Sequence, residues 1–577
     1  MMMQSRREFL ERAALLAGGL GALAKAGPAL AKDKAKADVY DVIIYGGTVA
    51  AVTAAVQTAR LGKSVVIVCP ETHLGGMTTG GLGWTDCKDS RAVGGLAREF
   101  YHRIWLYYNR PEVWTRQTRA SYQGLEGQCG KVINDAQQVM WTFEPHAAER
   151  VLEQWLAEEH IKVFRGEWLD REKGVEKTGA RITAIKTLSG RRFAGKVFID
   201  AGYEGDLMAA AGVRFRIGRD SAHEYDEPLN GIRFMVKGVD RYYSADEYPG
   251  IDPYVTPGRA DSGLIAGIEG VLPNLDTLGM ADHRLQSFNY RLCLTTEADN
   301  RVSVEKPDGY DARQYELLFR LAEAGQAASF SDQAMPNKKT DSNDRGRMSF
   351  DFIGGDFSVA GGWNYSDAGY AKRREIVAAH RRYQQGLMWA LQNEPRIPAA
   401  TRAACARWGL AGDEFTDNGH WPYQLYVREA RRMVGLTTVT QHHVQRAAGY
   451  EVADSIGLGS YSLDSHVVRR VVLDGKIRNE GGFYVWWATP YPIPYGAIVP
   501  RREDATNLLA PVTLSATHAA FGSLRMEPTY LILGQSAAVA AVCAIDRKTA
   551  LQDVDYALLR DRLSHAGQTL SLTSSPK

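Results

Sequence analysis

The sequence predicts an α/β protein, and three observations lead there. An apolar strand pattern, Asp38–Tyr45, runs into Gly46-Gly47-Thr48, then a helical run Val52–Leu61 and a second apolar strand, Ser64–Val68. That order of strand, tight turn, helix and strand within about 30 residues gives a glycine turn its meaning in a nucleotide-binding fold. A further strand pattern at 161–164 extends the parallel sheet, and Arg181–Thr187 and Arg191–Ile199 read as a hairpin around Ser189-Gly190. Near the carboxyl end, a strand-like stretch Asn507–Val512 precedes a very apolar helix, Leu531–Ala544. These patterns predict a Rossmann-like domain, a parallel sheet plus β-meander, beginning at residue 38.

Each element has a local reason. Gly46 permits the sharp turn out of the first strand, and Thr48 stands where a second glycine commonly lets a diphosphate approach. Ala51 is small enough for helix and strand to pack closely, and the helix N-terminus offers free N–H groups to phosphate. The residues Ala147, Val151, Leu152, Trp155 and Leu156 recur at helical spacing after Pro145. Pro528 suits the first turn of the last helix, because its missing N–H costs nothing there.

Composition narrows the function. The 577 residues are 45% apolar and 24% charged, with 69 Lys+Arg against 67 Asp+Glu, a formal charge of +2. This excludes a disordered chain, and 57 glycines without a G-X-Y period exclude collagen. So balanced a charge leaves no electrostatic footprint for nucleic acid, and a small polar molecule is the expected partner. The six cysteines contain no C-x-x-C pair, so no metal site is read from them and mostly buried free thiols are expected.

Residues 1–31 read as an address rather than as fold. Ser5-Arg6-Arg7-Glu8-Phe9-Leu10 resembles the twin-arginine export signature, and Ala29-Leu30-Ala31 offers a small-x-small cleavage site. The apolar run Ala13–Ala24 falls short of the ~20 residues that span a bilayer, so no transmembrane anchor is expected. Twin-arginine machinery exports folded proteins, which suits a periplasmic protein loaded with its cofactor before export.

From Tyr45-Gly-Gly-Thr-Val-Ala-Ala51 and His73-Leu-Gly-Gly-Met77 onward, the chain resembles a family of bacterial FAD-dependent oxidoreductases. The family belongs to the glutathione-reductase-type flavoprotein superfamily, and some members carry the label xanthan lyase. The likeness continues through Gly95–Tyr101, Phe143–His146, Phe198–Leu207, Tyr426–Met433, Asp454–Ser460, Tyr491–Tyr495, Asn507–Pro511 and Arg525–Pro528. It implies that residues 38–220 and 491–550 form one FAD-binding domain, with 221–490 an inserted α+β substrate-binding cap and 551–577 a carboxyl-terminal tail, and that FAD is held by Gly46, Gly47, Thr48, Ala51, Gly75, Gly76, Met77, Ala201 and Glu527. The acidic residue that usually ends the second strand and accepts the adenosine ribose is replaced by Cys69, a poor acceptor, and Glu71 is the alternative. Only one such fingerprint occurs, which favours FAD over a nicotinamide. Glu204 and Asp206, just past the third strand, either meet the nucleotide or cap the following helix.

Ser515, His518, Arg525 and Glu527 precede the last helix, whose N-terminus the superfamily aims at the flavin. Oxidising a hydroxylated carbon requires a base as hydride leaves for flavin N5. His518 is the first candidate and His466 the second, against a purely structural network. Arg525 would hold an oxyanion or balance the reduced flavin. His73 is a candidate cofactor contact. The aromatic runs Tyr484–Trp487 and Tyr491–Tyr495, with Trp363–Tyr365 and Asn418–Trp421, suit either a substrate pocket or a core. Arg428 and Arg432 are expected on one helix face, and Met335–Arg347 is expected as a mobile loop and lid. The expected activity is oxidation of a polar, sugar-like molecule, with electrons passing to oxygen, quinone or another carrier. Alternatives are reduction of an activated alkene, or a polysaccharide lyase in which FAD has no redox role.

Overall fold

The structure, a computed structural model, describes residues 37–245, 247–326, 330, 333–343, 350–353 and 365–572. The amino-terminal signal and the first two residues of Trp363–Tyr365 lie outside them. The chain begins with β1 (Asp38–Tyr45), α1 (Val49–Arg60) and β2 (Val65–Cys69). Beyond a helix at Gly95–Tyr108 and short irregular elements come α2 (Pro145–Glu158), β3 (Lys162–Arg165), β4 (Val175–Thr178), β5 (Arg181–Lys186) and β6 (Arg192–Asp200). These strands form a sheet in the order β3-β2-β1-β6-β5-β4. Pairing is parallel from β3 through β6 and antiparallel across β6, β5 and β4. The runs Val42–Tyr45 and Val65–Cys69 are buried on both faces, as a covered parallel sheet requires.

A second sheet lies in the middle of the chain. It contains β7 (Leu292–Thr295), β8 (Arg301–Val302), β9 (Gln333–Met335) and β10 (Lys339–Ser342). After α3 (Tyr370–Asn393), β11 (Gly409–Ala411) completes the antiparallel order β8-β11-β7-β10-β9. Then β12 (Ser455–Gly459) pairs with β15 (Tyr491–Pro494), and β13 (Leu463–Ser465) with β14 (Phe483–Val485).

The chain finally returns to the first sheet. The short β16 (Leu508–Leu509) pairs in parallel with Phe198–Ile199 of β6, and α4 (His518–Leu524) leads into α5 (Glu527–Arg547). At ~32 Å, α5 is long enough to cross a membrane, but 94% of its most apolar stretch is buried, so it is the core helix of the fold. It packs on α1, whose Ala50, Ala51, Ala54 and Ala55 let the two axes approach. Thr53 Oγ donates to the Leu531 carbonyl at 2.9 Å across that contact.

Two expectations are corrected, and a third, mostly buried free thiols, holds for four of the six cysteines. Residues 426–431 are not helical, so Arg428 and Arg432 do not share a helix face; Arg432–Met433 is a short strand paired with Phe215–Arg216. The arginines are buried, and their ion pairs run across the fold: Arg428 to Asp351, Arg431 to Asp206 and Arg432 to Asp220. Long-range charge pairing overrode the local helical spacing. The described part of Met335–Arg347 is not a lid: Lys339–Ser342 is a buried strand between two neighbours. Cys87 and Cys129 form a disulfide, while Cys69, Cys293, Cys405 and Cys543 are the buried free thiols.

A prediction follows from the α1–α5 contact. A Cβ at Gly534 would overlap the Ala50 carbonyl and Thr53 Oγ; the first is helix backbone, and the second is already tied to the Leu531 carbonyl. Gly534→Ala should therefore destabilise the protein by about 1–3 kcal/mol, as overpacking does, seen as an earlier urea unfolding midpoint. An unchanged midpoint would mean that the two helices are not locked at this distance.

Candidate functional site

At the carboxyl edge of the parallel strands, Tyr45 lies opposite both Asp200 and Val68. The turns that follow β1, β2 and β6 must therefore meet, as they do where open α/β sheets bind ligands. Gly46 has φ +111°, and a Cβ on it would lie 2.5 Å from the Gly202 nitrogen and 2.6 Å from the Ala201 carbonyl carbon. Only glycine fits between these backbones. Ala201 N–H donates to the Tyr45 carbonyl and the Thr48 hydroxyl to the Ala201 carbonyl, both at 2.7 Å. With its hydroxyl spent there, Thr48 leaves the first-turn amides of α1 without a side-chain cap. Ala51 is fully buried and has a packing role, with no surface to offer a ligand.

The segment after β2 supplies the next wall. Cys69 is fully buried, and its thiol donates to Glu71 Oε2 at 3.3 Å. Glu71 flanks Gly47 from the end of that strand. Its carboxyl is pushed up to about 7 by burial and then by the charge of Glu204. Gly75 (φ +102°) donates its N–H to the Gly47 carbonyl at 2.7 Å, stitching the two turns together. A cavity of ≈ 390 Å³ opens here, within the ~300–1,000 Å³ of small-molecule sites. Gly46, Glu71, Trp168 and Glu204 line it from the sheet side, and Arg381 and Trp421 from the middle of the chain. Glu204 accepts from Tyr365 at 2.9 Å, whereas Asp206 is consumed by Arg373 at 2.6 Å and by Arg431.

Beyond Gly75 the chain meets the start of α5. Met77 N–H donates to Tyr203 Oη at 2.8 Å, and the Tyr203 and Thr78 hydroxyls each donate to Glu527 at 2.7 Å. Gly76 exists because a Cβ would overlap the Tyr203 hydroxyl. Burial pushes Glu527 up to about 7 despite these two donors, with the charge of Asp86 adding to the rise. Tyr203, Thr78 and Asp86 were not singled out from the sequence, because their partners lie from tens to hundreds of residues away and no spacing marks them.

The catalytic candidates separate. His518, 1% exposed, begins α4; its Nδ1 lies 2.8 Å from Glu429 Oε2 and its Nε2 3.3 Å from Ser465 Oγ. Its own N–H donates to Asp220 at 2.8 Å. Arg525 donates to Tyr426 Oη at 2.9 Å and to the Asp464 carbonyl at 3.2 Å, and its buried Nε has no hydrogen-bond partner among the described residues. Asp464 and Ser465 are neighbours on β13, so His518 and Arg525 reach the same strand. His466 turns elsewhere, with Nδ1 2.6 Å from Asp351. His73 stacks on Tyr423 and contacts Glu149 and Asp417. Glu144, His146 and Glu414 bring ligand atoms within 4.8 Å of one another, but Lys339 Nζ is paired with both carboxylates at 2.8 and 2.6 Å. An ammonium thus already balances that cluster.

Comparison with known proteins identifies the company this chain keeps. The profile of a family described as FAD dependent oxidoreductase matches residues 41–563. No curated protein is similar to the chain. Among solved structures, L-proline dehydrogenase from P. horikoshii is 14% identical over 32% of this chain and 59% of that one, with a TM-score of 0.23. BexE is 22% identical over 32% and 35%, with a TM-score of 0.22. OxyS anhydrotetracycline hydroxylase from Streptomyces rimosus is 14% identical over 32% and 36%, with a TM-score of 0.21. The matched regions span a third to three-fifths of those chains, and at such scores the likeness carries no argument about function. The residues present do fit FAD: a glycine cradle a Cβ would fill, uncapped helix amides, a carboxyl at the end of β2 beside the glycine turn, and a buried guanidinium N–H to spare.

The raised carboxyls give a pH prediction. Glu71, Asp200 and Glu527 hold protons up to about 7 in the folded chain, whereas ordinary carboxyls lose theirs near 4. The folded state thus binds more protons in this window, and its stability declines as pH rises from about 4.5 to about 7. The Tm of flavin-free protein should fall over that range, and Glu71→Gln should flatten the fall. A Tm that rises steadily to neutrality would contradict it.

Proposed function

Because the chain belongs to the FAD dependent oxidoreductase family, we propose that it oxidises a hydroxylated, sugar-like polar molecule, with His518 as the proton acceptor and Arg525 as the cation at the redox centre. FAD is its cofactor, and when bound supplies the two-electron acceptor for hydride. Gly46–Thr48 and the amides of α1 would hold the diphosphate, and Glu71 would accept a ribose hydroxyl in place of the missing acid at Cys69. Gly75–Met77 would run alongside the ribityl chain, at the level of Ala201 and Glu527.

The Glu429–His518–Ser465 chain supports this reading above any other observation. A carboxylate at Nδ1 keeps the proton there and leaves Nε2 as the acceptor, the tautomer a general base needs. His518 is too buried to meet a substrate from solvent, so the substrate proton reaches Nε2 through Ser465 Oγ. Arg525, tied to Tyr426 and the Asp464 backbone, keeps an N–H and a positive charge for the anion formed as hydride departs. Region 221–490 serves as a cap over this centre. Residues 1–31 direct twin-arginine export to the periplasm, where oxygen, quinone or another carrier takes the electrons.

Anaerobic screening of the purified protein against sugars and related alcohols should find one that bleaches the flavin. Cleavage of a polysaccharide to an unsaturated product while the flavin stays oxidised would replace this reading with a lyase, and bleaching reversed by activated alkenes alone would replace it with a reductase. In the responding reaction His518→Asn should lower kcat by about 10²–10⁴, the usual worth of a general base, with the flavin spectrum intact. A variant that keeps full kcat removes His518 from the chemistry.

A further inference from the structure

Strand β14 joins the proposed reaction site to the surface. Its Tyr484 lies opposite Asp464, and its Phe483 opposite Ser465, in an antiparallel pair. One side of that pair carries the groups that touch Arg525 and His518. Just past the other side stands Trp486, an indole 51% exposed in a protein whose other large rings are mostly interior.

Two cations are braced on that ring. Lys88 Nζ lies 4.5 Å from the Trp486 centroid and 4.9 Å from that of Tyr461. The Arg241 guanidinium lies 4.7 Å from Trp486, and its backbone N–H donates to the Tyr484 carbonyl at 2.9 Å. Tyr242, 61% exposed, packs against Tyr484 with centroids 5.0 Å apart. Lys88 is further fixed from below: it follows Cys87 of the disulfide, and its ammonium donates to Gln128, the neighbour of Cys129. Most of the described arginines are ion-paired with carboxylates, yet neither Lys88 nor Arg241 forms an ion pair among the described residues. Lys88 is half-buried and Arg241 exposed; burial disfavours the Lys88 ammonium, the charges of Asp86 and Asp464 oppose that from beyond ion-pair distance, and aromatic support offsets only part of the cost. A carboxylate or phosphate would offset more, and an arginine fork beside a lysine point charge suits either.

We propose that Lys88 and Arg241, held on Trp486, form an anion-recognition platform at the mouth of the reaction site, so that the substrate is a hydroxylated molecule carrying a carboxylate or phosphate group. This rests on the oxidative reading above for its location, since the platform is one strand away from Asp464 and Arg525. The cations anchor the anionic end, and the pairing of β14 with β13 sets how far the reactive carbon reaches inward. A neutral sugar of the same size gains none of this anchoring.

The test is a binding experiment on the flavin-loaded protein, independent of turnover. D-glucuronate, glucose 6-phosphate and methyl glucoside are titrated by calorimetry at low salt and again at about 0.5 M salt, where screening is short-ranged. One or both anions should bind and methyl glucoside should not, and the anion that binds identifies carboxylate or phosphate. Added salt should weaken that binding. Arg241→Gln and Lys88→Met should each reduce it about tenfold, as expected for losing a charged hydrogen bond, with Tm and flavin spectrum unchanged. The proposal is overturned if no anion binds, if methyl glucoside binds equally well, or if the double variant binds like the parent protein. Anion binding without any bleaching of flavin would keep the platform and count against the oxidative reading alone.

Discussion

The tight backbone approach at the sheet edge, Gly46 against Ala201 and Gly202, is the constraint on which the rest of the site depends. Two parallel strands end side by side, and their following turns have no space for a side chain between them. This contact fixes where α1 begins and leaves its first amides open. It also forces the Thr48 hydroxyl toward the Ala201 carbonyl rather than onto its own helix. A larger residue at Gly46 would separate β1 from β6 and move every group that the two turns present.

The same edge concentrates charge that the fold does not neutralise locally. Glu71 and Glu527 are carboxyls removed from water, each with hydroxyl or thiol donors but no cation in contact. Arg525 is a buried cation bonded to a phenol and a backbone carbonyl, with a carboxylate only at 3.6 Å. Elsewhere the chain behaves differently: Lys339, Arg432 and Arg373 are paired directly with carboxylates. Incompletely compensated ionisable groups thus gather in the region that would meet a cofactor and substrate, where such groups do chemical work. The uncovered cations at Trp486 extend that pattern to the surface.

Much of this was legible from residues close in sequence. The β1–α1–β2 unit, the hairpin at 181–199, the helix after Pro145 and the buried last helix all follow from periodicity and turn chemistry. Glu71 could be named because only one carboxylate lies near the end of β2. Arg428 and Arg432 show the opposite case. Their spacing satisfies a helix, but Asp351 and Asp220 lie far away in the chain, and pairing with them holds the backbone extended. Lys339–Ser342 reads as polar loop, yet the carboxylates that bury Lys339 come from residues 144, 413 and 414. Cys87 and Cys129 are too far apart for spacing to pair them.

The sequence alone therefore determined the class of fold, the position of the glycine turn and the polarity of the last helix, because each depends on interactions within a dozen residues. The tertiary structure alone decided which groups face one another. It joined Glu429 to His518 and Ser465, Tyr203 to Glu527, and Lys88 to Trp486 across tens to hundreds of residues. Local propensity carries no record of such pairs. They exist only once burial has removed water and each polar group must find its partner from whatever the packed chain brings near.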